Sequence, residues 1–286
     1  MERILGLKID VDTHQGMMRG VPRLLDLLAQ EQLHGTFYLS IGPDASGRAI
    51  FQMLRNPRFL KKMVATRAPS LYGYRTALYG TLLPSPMIAL AFPELVRRIL
   101  SEGHEVQFHA WDHRRWQDGL LSRSTDWIRR WFERGIEGFN ALTGQHPTSF
   151  GAPAWLIDDR VLSILKEYPF QYLSCTRAKA PFVHAENGLL EIPSDLPCFE
   201  ETGCDLGEGP ILQQLEEGAL HVLPLHAEVE GGVMAEPFLR LIRRAREMGY
   251  RPGPLAAILP LLDIGRLETR RFQLALLPGR AVSCAL

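Results

Sequence analysis

Asp10 and Asp12 in KIDVD, with His109 and His113 in HAWDH, are the residues whose types and spacing could do chemistry. One carboxylate and two imidazoles can hold a divalent metal and leave positions open on it, and a further carboxylate beside that set can act as a base. Together they point to metal-assisted hydrolysis. Asp10 and Asp12 lie two apart at the end of an apolar run, so an extended backbone turns both to one face. Close carboxylates repel, and a cation beside them relieves that cost. The plainer reading is a strand-to-helix turn capped by Asp12 or Thr13. His109 and His113 are four apart, which places both rings on one side of a helical turn. That spacing recurs by chance, so its weight comes from the aspartates and from its own place at a strand end. His226 in PLHAEVEG follows another apolar run, and a histidine there suits a general acid near neutral pH. Its alternative is a core-edge histidine bonded to backbone. Trp111 and Trp116 could offer a sugar-stacking face, but buried indoles are the commoner use.

These residues need a scaffold, and the chain is long enough to build one. It has 286 residues, 46% hydrophobic and 22% charged, which suits one large globular domain. Lys and Arg (32) balance Asp and Glu (32), so no overall field favours nucleic acid. Cys175, Cys198, Cys204 and Cys284 form no CxxC pair, which argues against a zinc ribbon or disulfide framework and fits a reducing cytoplasm. MERILGLKID lacks the length and cleavage site of a signal peptide and reads as a first core strand.

Short β-rich runs alternate with amphipathic helical patterns, the signature of βα units around a largely parallel sheet or barrel. Strands are expected at Ile4–Ile9, Thr36–Ser40, Glu105–His109, Thr148–Gly151, Phe170–Ser174, Leu189–Ile192 and Leu220–Leu225. Helices are expected at Val21–Leu33, Thr125–Leu142, Asp158–Lys166, Pro237–Met248 and, as a short last one, Pro254–Leu262. Ser124 can cap the second, and Gly144 lies just past its end. In barrels of this kind chemistry sits where strands end, and Asp10, His109 and His226 all fall at such places. The interruption at 42–91 departs from regular alternation, and the FQLALL of the tail suggests a short strand or surface segment.

Within that interruption, Leu71–Phe92 is apolar enough to raise the question of a membrane span. Gly73, Arg75, Gly80, Pro84 and Pro86 argue against an unbroken helix. Arg55, Arg58, Lys61, Lys62 and Arg67 precede it, a pairing that could draw anionic headgroups and seat residues 55–92 peripherally in the interface. The alternative is a solvated helix face followed by a packed loop.

Read in order, KIDVD, HAWDH and LHAEVEG resemble the polysaccharide deacetylase (NodB-homology) superfamily. KIDVDTHQGMMRGVPRLLDLL, IGPDASGR, SLYGY, HEVQFHAWDHRRWQ and PLHAEVEG resemble more closely its branch of 4-deoxy-4-formamido-L-arabinose-phosphoundecaprenol deformylases. The likeness spans residues 4–262. It implies an α/β fold, a distorted (β/α)7-type barrel over residues 1–263, with 264–286 as a tail outside it. It further implies one divalent metal ion, zinc first and manganese or cobalt as alternatives. The implied substrate is a formamido sugar linked to undecaprenyl phosphate, in the context of lipid A modification and cationic peptide resistance. The implied location is the cytoplasmic face of the inner membrane, with no protein partner. Carried onto matching positions, Asp10 is the base, Asp12, His109 and His113 the metal ligands, and His226 the acid. Trp111, Trp155, Arg177, Glu228 and Glu230 are candidate substrate or supporting residues. Two positions depart from the pattern: Leu156, in GAPAWL, stands where relatives carry an Arg that orients the base, and Cys175 where they carry an Asp that supports the histidine. Those departures keep two other readings open, a de-N-acetylase of another amino sugar and a non-catalytic binder of a lipid-linked sugar.

Overall fold

The computed structural model describes residues 2–49, 76–202, 206–278, 280 and 282–286. The basic run at 55–67 and SLYGY lie outside them, so the surface expected over 55–92 is described only from residue 76 onward.

The strands are β1 (Arg3–Val11), β2 (Thr36–Ser40), β3 (Glu105–Ala110), β4 (Ser149–Phe150), β5 (Tyr172–Leu173), β6 (Phe182–His184), β7 (Leu190–Glu191), β8 (Leu220–His226), β9 (Tyr250–Gly253), β10 (Thr269–Arg270), β11 (Leu274–Ala275) and β12 (Cys284–Ala285). One sheet runs in the order β10-β6-β7-β5-β4-β3-β2-β1-β8, parallel except where β6 meets β7, with β9 added beside β1. It curls into a half-barrel with helices outside, the α/β, barrel-like architecture expected.

β1 is the axis of the site. It pairs with β8 from Ile4 to Asp10, with β2 from Lys8 to Val11, and with β9 from Arg3 to Gly6. Partners on both edges explain why it is apolar almost throughout rather than alternating. The exceptions, Lys8 and Asp10, lie two apart and therefore point to the same, inner side. The interior is graded along its axis. Ile4, Val222, Leu255 and Ile258 fill the bottom. Above them is a polar layer: Tyr38 hydroxyl meets Ser149 Oγ at 2.6 Å, and Tyr172 hydroxyl donates to Glu105 at 2.6 Å. Lys8 and Asp10 face the same interior, in register with Thr36 and Tyr38, and the histidines lie toward the strand ends.

Four of the expected helices are present with displaced ends, and Pro93–Ser101 is a further helix outside the expected set. Thr125–Thr143 is capped by Ser124, whose Oγ accepts the Trp127 N–H, and is closed by left-handed Gly144. Asp158 caps Asp159–Leu165 with two backbone N–H bonds. The first helix, Val21–Gln30, stops short of Leu33 because Gln32 takes φ 53°, and a π-turn at Gly16–Gly20 leads into it. β6 and β9 were not expected: each is short, and the prolines and glycines of YRPG mask β9 as a turn. The expected 254–262 helix is a 3-10 segment, Leu255–Leu261, that plugs the bottom of the barrel. In the tail, β11 and β12 form an antiparallel pair, and the Arg177 N–H donates to Ala285 O, so the tail packs against the barrel. Among the described residues, no helix is long and apolar enough to cross a membrane.

Candidate active site

Two strand ends and the start of a helix meet at the top of the half-barrel. Asp12 follows β1, His109 ends the inner face of β3, and His113 opens the His113–Gly119 helix, which Asp112 caps through the Arg115 N–H at 2.9 Å. Asp12 Oδ1 lies 3.0 Å from His109 Nε2, and Oδ2 lies 3.3 Å from His113 Nε2. The donor atoms of all three sit within 4.8 Å of one another.

The protonation pattern suits a cation. His109 Nδ1 faces Gly151 O at 2.7 Å, so that nitrogen carries the hydrogen and Nε2 presents its lone pair. His109 Nε2 and Asp12 Oδ1 are both buried with no hydrogen-bond partner, a costly state that a metal would relieve. Burial pushes His113 down to about 4, so its ring is neutral at pH 7. For Asp12 burial works the other way, but His113 and His109 outweigh it and hold the carboxyl below the usual range. An anionic carboxylate beside two imidazole nitrogens is a donor set that binds zinc, manganese or cobalt.

Asp10 and His226 face each other across the β1–β8 ladder as register partners. Asp10 is held by Lys8, whose ammonium contacts both carboxylate oxygens, at 2.5 Å for Oδ1 and more closely for Oδ2. His226 Nδ1 lies 3.1 Å from Glu200, and its backbone N–H donates to Glu230 Oε2 at 2.6 Å. Burial disfavours the His226 cation, but the Glu200 charge more than compensates and lifts the ring well above its ordinary value. Burial raises Glu230 to about 8 and Glu228 well above the carboxylate range, the latter helped by the Asp12 charge. Neither Glu228 oxygen has a hydrogen-bond partner, although the carboxyl is buried. Cys198, Glu200 and His226 form a second grouping of donor atoms within 4.8 Å. There His226 Nδ1 and Glu200 Oε1 form an ion pair 3.1 Å apart, so the grouping reads as a His226–Glu200 pair.

Trp155 walls the site. Ala154 and Trp155 take left-handed φ of 55° and 52°, strain of about 1–3 kcal/mol each that persists only where surroundings enforce it. Its indole lies edge-on to His226 at 6.4 Å and donates to Ser194 Oγ. Arg177 and Arg280 stack on the same ring, each 4.8 Å from its centre, and both pair with Glu201. Arg177 is thus committed to Glu201 and to the Ser194 and Leu196 carbonyls and does not support Asp10. Trp111 packs over Gly42 and lines a cavity of about 100 Å³ with Arg115, Trp127 and Arg134. Trp116 is fully buried, its N–H given to Leu156 O. Leu156 itself is buried, and the Cys175 thiol turns to Phe150 O, away from His226.

Sequence reasoning missed two contributors. Lys8 could have been found by carrying the two-residue alternation one step back from Asp10. Glu200 had no signal, since its meeting with His226 depends on the chain's return near residue 198.

The sequence profile of the polysaccharide deacetylases matches residues 12–173. The chain belongs to the polysaccharide deacetylase family. It is 33% identical over 91% of its length to a relative from Shewanella sediminis (strain HAW-EB3) named "Probable 4-deoxy-4-formamido-L-arabinose-phosphoundecaprenol deformylase ArnD", spanning 87% of that protein. A protein of the same name from Wigglesworthia glossinidia brevipalpis is 26% identical over 93% of this chain and 96% of its own. A crystal structure from Mycobacterium smegmatis, described as a polysaccharide deacetylase, superposes with a TM-score of 0.64 at 19% identity, covering 97% of this chain and 96% of that one. That likeness shows the shared fold.

Proposed function

We propose that this family member is a metal-dependent hydrolase that removes the formyl group from the formamide of a lipid-linked 4-formamido-arabinose. The observation that carries the reading is the convergence of Asp12, His109 and His113, two of them with buried unpartnered donor atoms, between a carboxylate and a histidine on neighbouring strands. The substrate rests on the two relatives named as deformylases of the undecaprenyl-phosphate-linked sugar.

Asp12, His109 and His113 would hold one divalent ion, which when bound supplies a water acidified toward a pKa of about 7 and an electrophile for the carbonyl. Asp10 takes the proton of the attacking water. His226, kept protonated by Glu200, gives a proton to the departing sugar nitrogen, without which an amide nitrogen is a poor leaving group. Trp155 shields the histidine from solvent on one side. The work would be done at the cytoplasmic face of the inner membrane, where the lipid carrier presents its headgroup. The supporting contacts that Leu156 and Cys175 cannot make are supplied by Lys8 and Glu200, which favours catalysis over mere binding of the sugar.

Incubating the metal-loaded protein with lipid-linked formamido- and acetamidopentose and weighing the products by mass spectrometry tests this. Loss of 28 mass units from the formamido substrate is expected (about the mass of CO). Release of acetyl alone would change the substrate to an N-acetyl sugar. Metal binding with neither product would leave a non-catalytic sugar binder.

A further inference from the structure

We propose that Lys8 is a positioning residue for the base: its buried ammonium fixes the Asp10 carboxylate against the reacting water. The inference rests on the hydrolase reading above and adds a residue to it. Lys8 is fully buried in the middle of β1, a position that strands of this kind give to aliphatic side chains. Burying a charge there is expensive unless it is paired and hydrogen-bonded. Its ammonium meets both oxygens of Asp10, so the plane of the carboxylate is set as well as its place. The remaining faces of the ammonium are covered by rings, with Tyr38 centred 4.8 Å away and Trp155 at 5.3 Å. Among the described residues no other cation is paired with Asp10: Arg177 and Arg280 are both turned to Glu201.

The arrangement is specific in a way that a structural ion pair need not be. Lys8 and Asp10 lie two apart on one face of β1, and Asp12 follows at the upper end of the same strand. The cation therefore sits below the base and the metal ligand above it, so the carboxylate is gripped from the side opposite to the chemistry. A grip from below keeps the lone pairs on the open side free to accept a proton, whereas a cation above would compete with the metal. The strained Trp155 completes the cage by packing on the ammonium and lying edge-on to His226, so one ring borders both the base's support and the acid.

Lys8→Met and Lys8→Arg test it, compared with wild type for turnover of the lipid-linked substrate, bound metal and melting temperature. Lys8→Met should lower kcat by about 10–100-fold, the range for losing a supporting contact, while KM and metal content change less than about threefold. Lys8→Arg should recover at least about half of that loss on a logarithmic scale. A Lys8→Met protein with wild-type kcat overturns the inference, as does a folded Lys8→Arg no faster than Lys8→Met. Absence of turnover in wild type on formamido and acetamido substrates would instead refute the hydrolase reading. The contact is then judged from melting temperatures of Lys8→Met, Asp10→Asn and the double variant. A double variant that loses less than the sum of the singles supports the grip, and strict additivity overturns it.

Discussion

Gly20 offers a severe test of how the acid is held. A Cβ at this position would lie 2.0 Å from Ala227 O, 2.5 Å from Ala227 C and 3.0 Å from Glu228 N, all backbone atoms of the short Ala227–Glu230 helix. No side chain can swing aside, so Gly20→Ala must push the facing backbones apart by at least about 1.4 Å to reach an ordinary contact. Overpacking of this kind costs about 1–3 kcal/mol, roughly 2–5 °C of melting temperature in a chain of this size. The element pushed away begins immediately after His226 and carries Glu230, which accepts the His226 N–H. A displacement of that size at a reacting group is worth about 100-fold in rate. Deformylation assays should show kcat down by about that factor, with metal content retained, because Asp12, His109 and His113 are carried by other elements. Gly209→Ala, whose added Cβ would meet nothing within 4 Å, should be silent. A Gly20→Ala protein with unchanged kcat and melting temperature would refute the claim that this backbone crossing sets the acid.

Further outcomes follow from the same geometry. Saturating the chelated protein with zinc, manganese or cobalt at about 100 times its dissociation constant should stabilise it by about 2.7 kcal/mol; an equal rise in melting temperature for His109→Ala would remove that histidine from the ligand set. Alanine at Asp10 or at His226 should depress turnover at least about 100-fold, as general acid–base groups do, with metal retained, and substantial activity in both would refute their roles. Acid should weaken the fold through His104, which burial, helped by the charge of His34, lowers to about 4. Its neutral Nδ1 accepts the Gly35 N–H, and below about pH 6.5 the unfolded chain takes up the proton first, so stability falls between about pH 6.5 and 4. Melting curves of His104→Gln should show a shallower fall over that window, and an identical slope would exonerate the residue.

Much of the site could be read from the sequence because it is built on strand parity and helical spacing. Asp10 and Asp12 share a face by alternation, and His109 and His113 flank a single turn; both relations are local. The strands that carry them are apolar runs bounded by turn residues, so they too were visible. What escaped depends on distant segments returning. β9 is written as YRPG, whose proline and glycine signal a turn, and it is a strand only because the lower half of β1 offers a free edge. Glu200 reaches His226 from a four-residue helix with no periodicity to betray it. By charge alone Arg177 is a natural support for the base, yet Glu201 and two carbonyls claim it first. Charge complementarity names candidate partners; packing chooses among them.

The tail extends well past the stretch that the family profile matches, yet it is fastened beside the reacting groups. Arg280 stacks on Trp155 and reaches the Ala154 carbonyl, and Ala285 receives the Arg177 N–H. These last residues thus act as a buttress from outside, adding to the hold that Arg177 and Ser194 already have on a twisted bit of backbone. Variation in substrate range within such a scaffold can arise from positions that never meet the sugar, through small changes in how firmly that brace leans.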